Sequence, residues 1–185
     1  MADDDQPAPE FEVLFSGAEI SARTQELAVE IAESGMRHLL VIAILKGSFI
    51  FAADLLRALH TEGVRPEVDF ITMSSYQKSK VSSGQVSVLR DVDMNVEGRD
   101  VLIIDDILES GRTLAYAKDL ISARGARRVA TCVLVEKDVE RAAQIEADFK
   151  AFRCADVFLV GYGMDLAYRF RELPFVGRVV SSDGS

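Results

Sequence analysis

Apolar and polar positions fall in blocks along the chain, and the blocks have two periods. From Ser16 to Ser34, Ile20, Leu27, Ala28 and Ile31 share one face at helical spacing, and Gly35 follows, which predicts a helix closed by glycine. His38 to Leu45 is a continuous apolar run and predicts a buried strand. Gly47 to Thr61 reads as a helix with Phe51, Leu55, Leu56 and Leu59 inward, and Pro66 to Ser75 alternates like a strand. Val101 to Ile104, Val129 to Val135 and Val157 to Val160 predict three more buried strands. Thr113 to Arg124 predicts a helix with Leu114, Ala117, Leu120 and Ile121 on one side and Gly125 just past its end. Gly177 to Val180 reads as a short last strand. Tyr76 to Gln85, rich in Ser, Lys and Gln, has no apolar pattern and reads as a loop. Residues 1–10 read as a flexible, solvated tail, and Ser181 to Ser185 as a frayed end.

Strands that are apolar throughout and alternate with amphipathic helices predict an α/β protein, a Rossmann-like parallel sheet flanked by helices. With 185 residues the chain is expected to form one domain, residues 1–185. Ligands of such folds bind at the carboxyl ends of the strands, so chemistry is sought just after Leu45, Ile104, Val135 and Val160.

Composition narrows the classes. With 30 acidic and 21 basic side chains the formal charge is −9, which argues against a nucleic-acid partner bound by bulk electrostatics. A local cationic pocket for a small phosphorylated ligand stays open. The start, Met1 to Pro7, is acidic, the reverse of a signal peptide. No apolar run approaches the about 18 residues of a membrane span. Cys132 and Cys154 sit among apolar residues and read as reduced core thiols. These features predict a cytoplasmic protein without a membrane partner. The chain lacks a Gly-Lys-Ser/Thr phosphate loop and a Gly-x-Ser-x-Gly elbow, and Gly161-Tyr-Gly163 fails the dinucleotide fingerprint at its third glycine. His38 and His60 stand at element boundaries rather than in a metal or catalytic pattern.

The strongest segment runs from Val101 to Leu114. An apolar strand delivers Asp105 and Asp106 to its carboxyl end, and a tight loop, Glu109-Ser110-Gly111-Arg112-Thr113, then opens a helix. Free N–H groups at the helix start, its dipole and two hydroxyls make an anion cradle, and Gly111 lets the backbone come close to a phosphate. Arg112 either adds charge or faces solvent. Adjacent carboxylates suit the vicinal hydroxyls of a ribose, because an ionised carboxylate only accepts hydrogen bonds. The plain alternative is an acidic turn that merely caps a helix.

On these residues the chain resembles the type I phosphoribosyltransferases, whose phosphoribosyl-pyrophosphate signature is an apolar strand, two acids, two apolar residues and a Ser/Thr-Gly-x-Thr loop. Read outward, Leu45-Lys-Gly-Ser48, Ser74-Ser-Tyr76, Leu134-Val-Glu-Lys137 and Phe158 to Asp165, with Arg171 six residues on, resemble the hypoxanthine-guanine phosphoribosyltransferases in order and spacing. The resemblance implies the fold of that family, with a small hood built from the two chain ends. It implies transfer of ribose 5-phosphate from phosphoribosyl pyrophosphate to a 6-oxopurine, giving a nucleoside monophosphate and pyrophosphate, with Mg2+ as cofactor and a homodimer or homotetramer as the assembly. It also implies the site. Lys46 and Gly47 bind pyrophosphate on a loop whose peptide is often cis. Ser75 and Tyr76 start a lid that closes over the reacting centre. Asp105, Asp106 and Asp165 serve the ribose and the metal, and Glu109 to Thr113 hold the 5-phosphate. Lys137 donates to the oxygen at purine carbon 6, Phe158 stacks on the base, Leu159 offers its backbone to the base edge, and Arg171 holds pyrophosphate.

One position departs from the pattern. The family places Asp at the head of the phosphate loop as the base for purine N7, and this chain has Glu109, with the same acid and a longer reach. Glu109 is the expected catalytic residue. The alternative is a regulatory or sensor protein that keeps the sugar-phosphate pocket with little or no catalysis, since Ser110 to Thr113 also resembles the pyrimidine-regulating relatives that bind RNA.

Overall fold

A computed structural model describes residues 9–75 and 86–180. Two sheets form. Six strands line up in the order β4-β3-β2-β5-β6-β7: β2 (Leu40–Leu45), β3 (Glu67–Ser75), β4 (Val86–Arg90), β5 (Asp100–Leu108), β6 (Arg128–Lys137) and β7 (Phe149–Cys154). All neighbours are parallel except β4, which runs antiparallel to β3 along the edge. A second, antiparallel sheet joins β1 (Phe11–Phe15), β9 (Val176–Val179) and β8 (Leu159–Val160), with β9 in the middle. The expected hood is therefore present.

Three helices cover the main sheet. α1 (Gly17–Glu33) starts at Ser16 in a full capping box: Ser16 Oγ accepts the Glu19 N–H at 3.3 Å, and Glu19 Oε2 accepts the Ser16 N–H at 2.8 Å. α2 (Phe49–Thr61) follows β2, and α3 (Arg112–Ala123) follows β5. Alternate residues of one strand serve opposite faces. Val41, Ala43, Leu102 and Ile104 pack with Ile20, Leu27, Phe51 and Leu55 of α1 and α2. Leu40, Ile42, Val101 and Ile103 pack with Leu114, Ala117 and Ile121 of α3. This two-sided burial is why β2 and β5 read as unbroken apolar runs.

The sequence reading needs three corrections. Val157 to Val160 does not add a strand to the main sheet; it yields the two-residue β8 of the hood. The outer parallel strand is β7, whose residues are mostly half-buried because it pairs on one side only. β1 and β4 are also strands, each at a sheet edge. No described helix is long and apolar enough to cross a membrane.

The topology fixes where a ligand can sit. From β2 the chain moves to β3 on one side and then crosses to β5 on the other. A crevice opens outside the carboxyl ends of β2 and β5, at the point where the winding reverses.

Candidate active site

Three backbone segments meet at that crevice. Past β2, the Leu45–Lys46 peptide is cis. A Cβ on Gly47 would lie 1.6 Å from Asp106 Oδ2, so the carboxylate rests against the glycine, in space no other residue leaves free. Gly163, with φ +103, comes from the hood, and a Cβ there would lie 2.1 Å from the Gly47 carbonyl oxygen. The Gly161–Gly163 turn is thus packed on the Gly47 backbone, and the Asp106 side chain lies against that same glycine.

The acids stand inside β5, which runs on to Leu108, rather than beyond the strand's end. Asp105 Oδ1 accepts the Asp106 N–H at 3.0 Å, and Asp106 Oδ1 accepts the Ile107 N–H at 2.9 Å. Burial, and then the neighbouring charge of Asp106, push the Asp105 carboxyl well above the usual carboxylate range. Burial raises Asp106 too, opposed by its hydrogen bonds and by the charge of Arg171.

On the hood, Arg171 donates to the Gly163 carbonyl at 2.6 Å and pairs with Asp165 at 2.5 Å. Asp165 also accepts the Tyr168 N–H at 2.8 Å, so it is tied into its own turn. Among the described residues no three His, Cys, Asp or Glu side chains come together to hold a metal. Asp105, Asp106 and Asp165 therefore do not form a ready-made cage. Two residues absent from the sequence reading anchor this turn from behind: the Tyr162 hydroxyl donates to Asp54 of α2. In the sequence Tyr162 is only the middle of a Gly-Tyr-Gly run, with nothing that points to Asp54.

At the phosphate loop a cavity of about 170 Å³ is lined by Asp105, Glu109, Ser110, Gly111 and Thr113. The first helical bond of α3 is Ala115 N–H to Gly111 O at 2.9 Å, so the amides before it have no partner within the helix; the Arg112 N–H donates to Ser110 Oγ at 3.4 Å. Gly111 has φ +77, and a Cβ there would meet the Ala143 carbonyl oxygen at 2.6 Å. The glycine thus makes room for the protein's own 143–145 segment rather than for a ligand. Arg112 is exposed.

Lys137 ends β6. Its Nζ donates to Glu109 Oε2 at 2.8 Å and to Asp156 Oδ1 at 3.3 Å. Its side chain is only 6 % exposed, so this is no surface ion pair. Burial alone would lower its pKa; the two carboxylates outweigh that and raise it. Phe158 is 57 % exposed and available as a stacking surface, whereas Leu159 is buried in β8. Ser75 is the last residue of β3, opposite Val86. The expected lid from Tyr76 to Gln85 lies outside the described residues. Cys132 and Cys154 are free thiols, Cys132 buried.

Known proteins resemble this chain over most of its length. A sequence profile of the phosphoribosyl transferase domain matches residues 13–167. The chain is 44 % identical over 166 residues to the hypoxanthine-guanine phosphoribosyltransferase of Bacillus subtilis, covering 89 % of this chain and 91 % of that protein. It is 40 % identical over 176 residues to the hypoxanthine phosphoribosyltransferase of Escherichia coli, covering 93 % and 97 %. Among solved structures, the hypoxanthine phosphoribosyltransferase of Trypanosoma cruzi in complex with the product IMP superposes with a TM-score of 0.85 at 34 % identity, over 97 % of this chain and 98 % of that one.

Proposed function

Because the chain belongs to the phosphoribosyl transferase family, in its hypoxanthine-guanine branch, we propose that it transfers ribose 5-phosphate from phosphoribosyl pyrophosphate to hypoxanthine or guanine, releasing pyrophosphate in purine salvage. One bond forms, from purine N9 to ribose C1′, and one breaks, from C1′ to the pyrophosphate oxygen. The purine gives up the N7 proton.

The observation that carries this reading is the convergence of Lys46–Gly47, Asp105–Asp106 and the 109–113 loop at one switch point. Ser110 to Thr113 bind the 5-phosphate at the start of α3. Asp105 and Asp106 accept the ribose hydroxyls and hold the sugar as charge builds at C1′. The Lys46–Gly47 backbone and Arg171 bind the pyrophosphate end; for that, Arg171 turns from Asp165 to the ligand. Lys137 donates to the 6-oxygen and, having no acceptor, disfavours a 6-amino group. Glu109 takes the N7 proton, and so exchanges its bond with Lys137 for one with the base.

Magnesium fits this donor set. It prefers one or two carboxylates with water and substrate phosphates completing its shell, and Asp105 with Asp106 would supply them. When bound, it neutralises the leaving pyrophosphate.

The test is nucleotide formation from phosphoribosyl pyrophosphate with hypoxanthine, guanine, xanthine and uracil. Product from the first two, and none from uracil, is expected. Binding of the sugar phosphate without transfer to any base would establish the sensor instead.

A further inference from the structure

An ammonium carries three N–H donors and no acceptor. In Lys137 two of them are engaged, by Glu109 at 2.8 Å and by Asp156 at 3.3 Å. The lysine side chain is 6 % exposed, and the carboxylates are 53 % and 66 % exposed. So buried a cation needs a counter-charge, since desolvation otherwise works against it. The transfer reaction removes one. Glu109 turns to purine N7 and loses its charge on taking the proton. Among the described residues, Asp156 is then the carboxylate still bonded to the ammonium.

Asp156 occupies the turn between β7 and β8, two residues before Phe158. One short segment therefore carries both the exposed aromatic face and the anchor of the cation. The lysine backbone is held separately: its carbonyl accepts from Arg141 at 3.3 Å, and β6 pairs Lys137 with Cys154. What Asp156 adds concerns only the far end of the side chain.

We propose, building on the purine-transfer reading, that Asp156 is a positioning residue: it holds the Lys137 ammonium with one N–H aimed at the 6-oxygen of the base while Glu109 is occupied with N7. Asp156 thereby contributes to the choice of 6-oxopurines without touching them.

The test compares Asp156→Asn with the wild type in kcat, in KM for hypoxanthine and phosphoribosyl pyrophosphate, and in inhibition by unsubstituted purine, which lacks the 6-oxygen. KM for hypoxanthine should rise about 3- to 10-fold, the scale of one partly exposed, charge-assisted hydrogen bond, with a smaller change in kcat. KM for phosphoribosyl pyrophosphate and the inhibition constant of unsubstituted purine should stay within about twofold, because neither ligand uses the ammonium. Adding Asp156→Asn to Lys137→Met should have no further effect, as expected for residues that act through one contact. Equal weakening of hypoxanthine and unsubstituted purine, or an undiminished effect in the Lys137→Met background, would overturn the positioning role. So would unchanged kinetics in Asp156→Asn, with the transfer reading intact. A wild type that transfers to no purine overturns both.

Discussion

At the scale of single residues, the site is held by glycines whose missing side chains are occupied by other parts of the site. Gly47 yields its space to Asp106. Gly47→Ala should therefore displace the Asp106 carboxylate and weaken phosphoribosyl pyrophosphate binding at least about tenfold, with stability lowered by only about 1–3 kcal/mol, the usual range for overpacking. Calorimetric titration and urea unfolding measure the two; normal affinity would mean that the acid pair does not face the ligand. The sequence made the crevice around Asp105 to Thr113 legible, because the strand, the acids and the loop are consecutive. It did not carry Asp156, Tyr162 or Asp54. These act through side-chain contacts between segments far apart in sequence, such as the Tyr162 to Asp54 bond, and no local pattern encodes them. It also left a surface ion pair open for Lys137, whereas that side chain is buried and bonded to Glu109 and Asp156.

At the scale of elements, legibility followed burial. β2 and β5 are covered on both faces and stand out as apolar runs, and α1 shows its capping box in the letters Ser16 and Glu19. β4 and β7 lie at sheet edges with half-exposed faces, so their mixed composition resembles loop. Val157 to Val160 looked like a core strand because the run is apolar, yet Phe158 is exposed and only Leu159 and Val160 are buried, in the hood. The segment after β6 shows what elements do for one another. Ala143 donates to Ser110 O at 3.1 Å, and its own carbonyl fills the space beside Gly111. Gly111→Ala should push this segment off the loop and strain a φ of +77. The expected result is a loss of sugar-phosphate affinity of about tenfold or more, with hypoxanthine protection in the binary complex unaffected, as a local change predicts. Titration with ribose 5-phosphate would show it; unchanged affinity would separate the segment from the cradle.

At the scale of the whole molecule, one buried carboxylate ties the end of β6 to β7 and to the 139–147 segment. Glu136 is 2 % exposed and pairs with Arg141 at 2.8 Å, Lys150 at 2.5 Å and Arg153 at 3.1 Å. Burial works to raise its pKa, and the ion pairs with Lys150 and Arg141 overcome this and lower it. A lowered folded-state pKa gives stability that is complete above the unfolded value, about 4.3, and is lost as pH falls through the folded one. Glu136→Gln should cost about 2–3 kcal/mol at pH 7, less than the loss on breaking a fully buried pair because Lys150 and Arg153 reach solvent. The gap between variant and wild type should narrow below about pH 4. Urea unfolding at both pH values checks this, and a constant gap would remove Glu136 from the acid response.

The hood has a consequence for how the protein comes into being. Among the described residues β1 has β9 as its one strand neighbour, and more than 160 residues separate Phe11 from its partner Val179. On a ribosome adding about 5–20 residues per second, the first strand waits for about 10–30 s with an unpaired edge. The main sheet can assemble meanwhile, with the phosphate loop already in place. The hood sheet is complete only once β9 lies between β1 and β8. Completion of the hood is thus tied to the pairing of two distant segments, while the crevice of the main sheet is not.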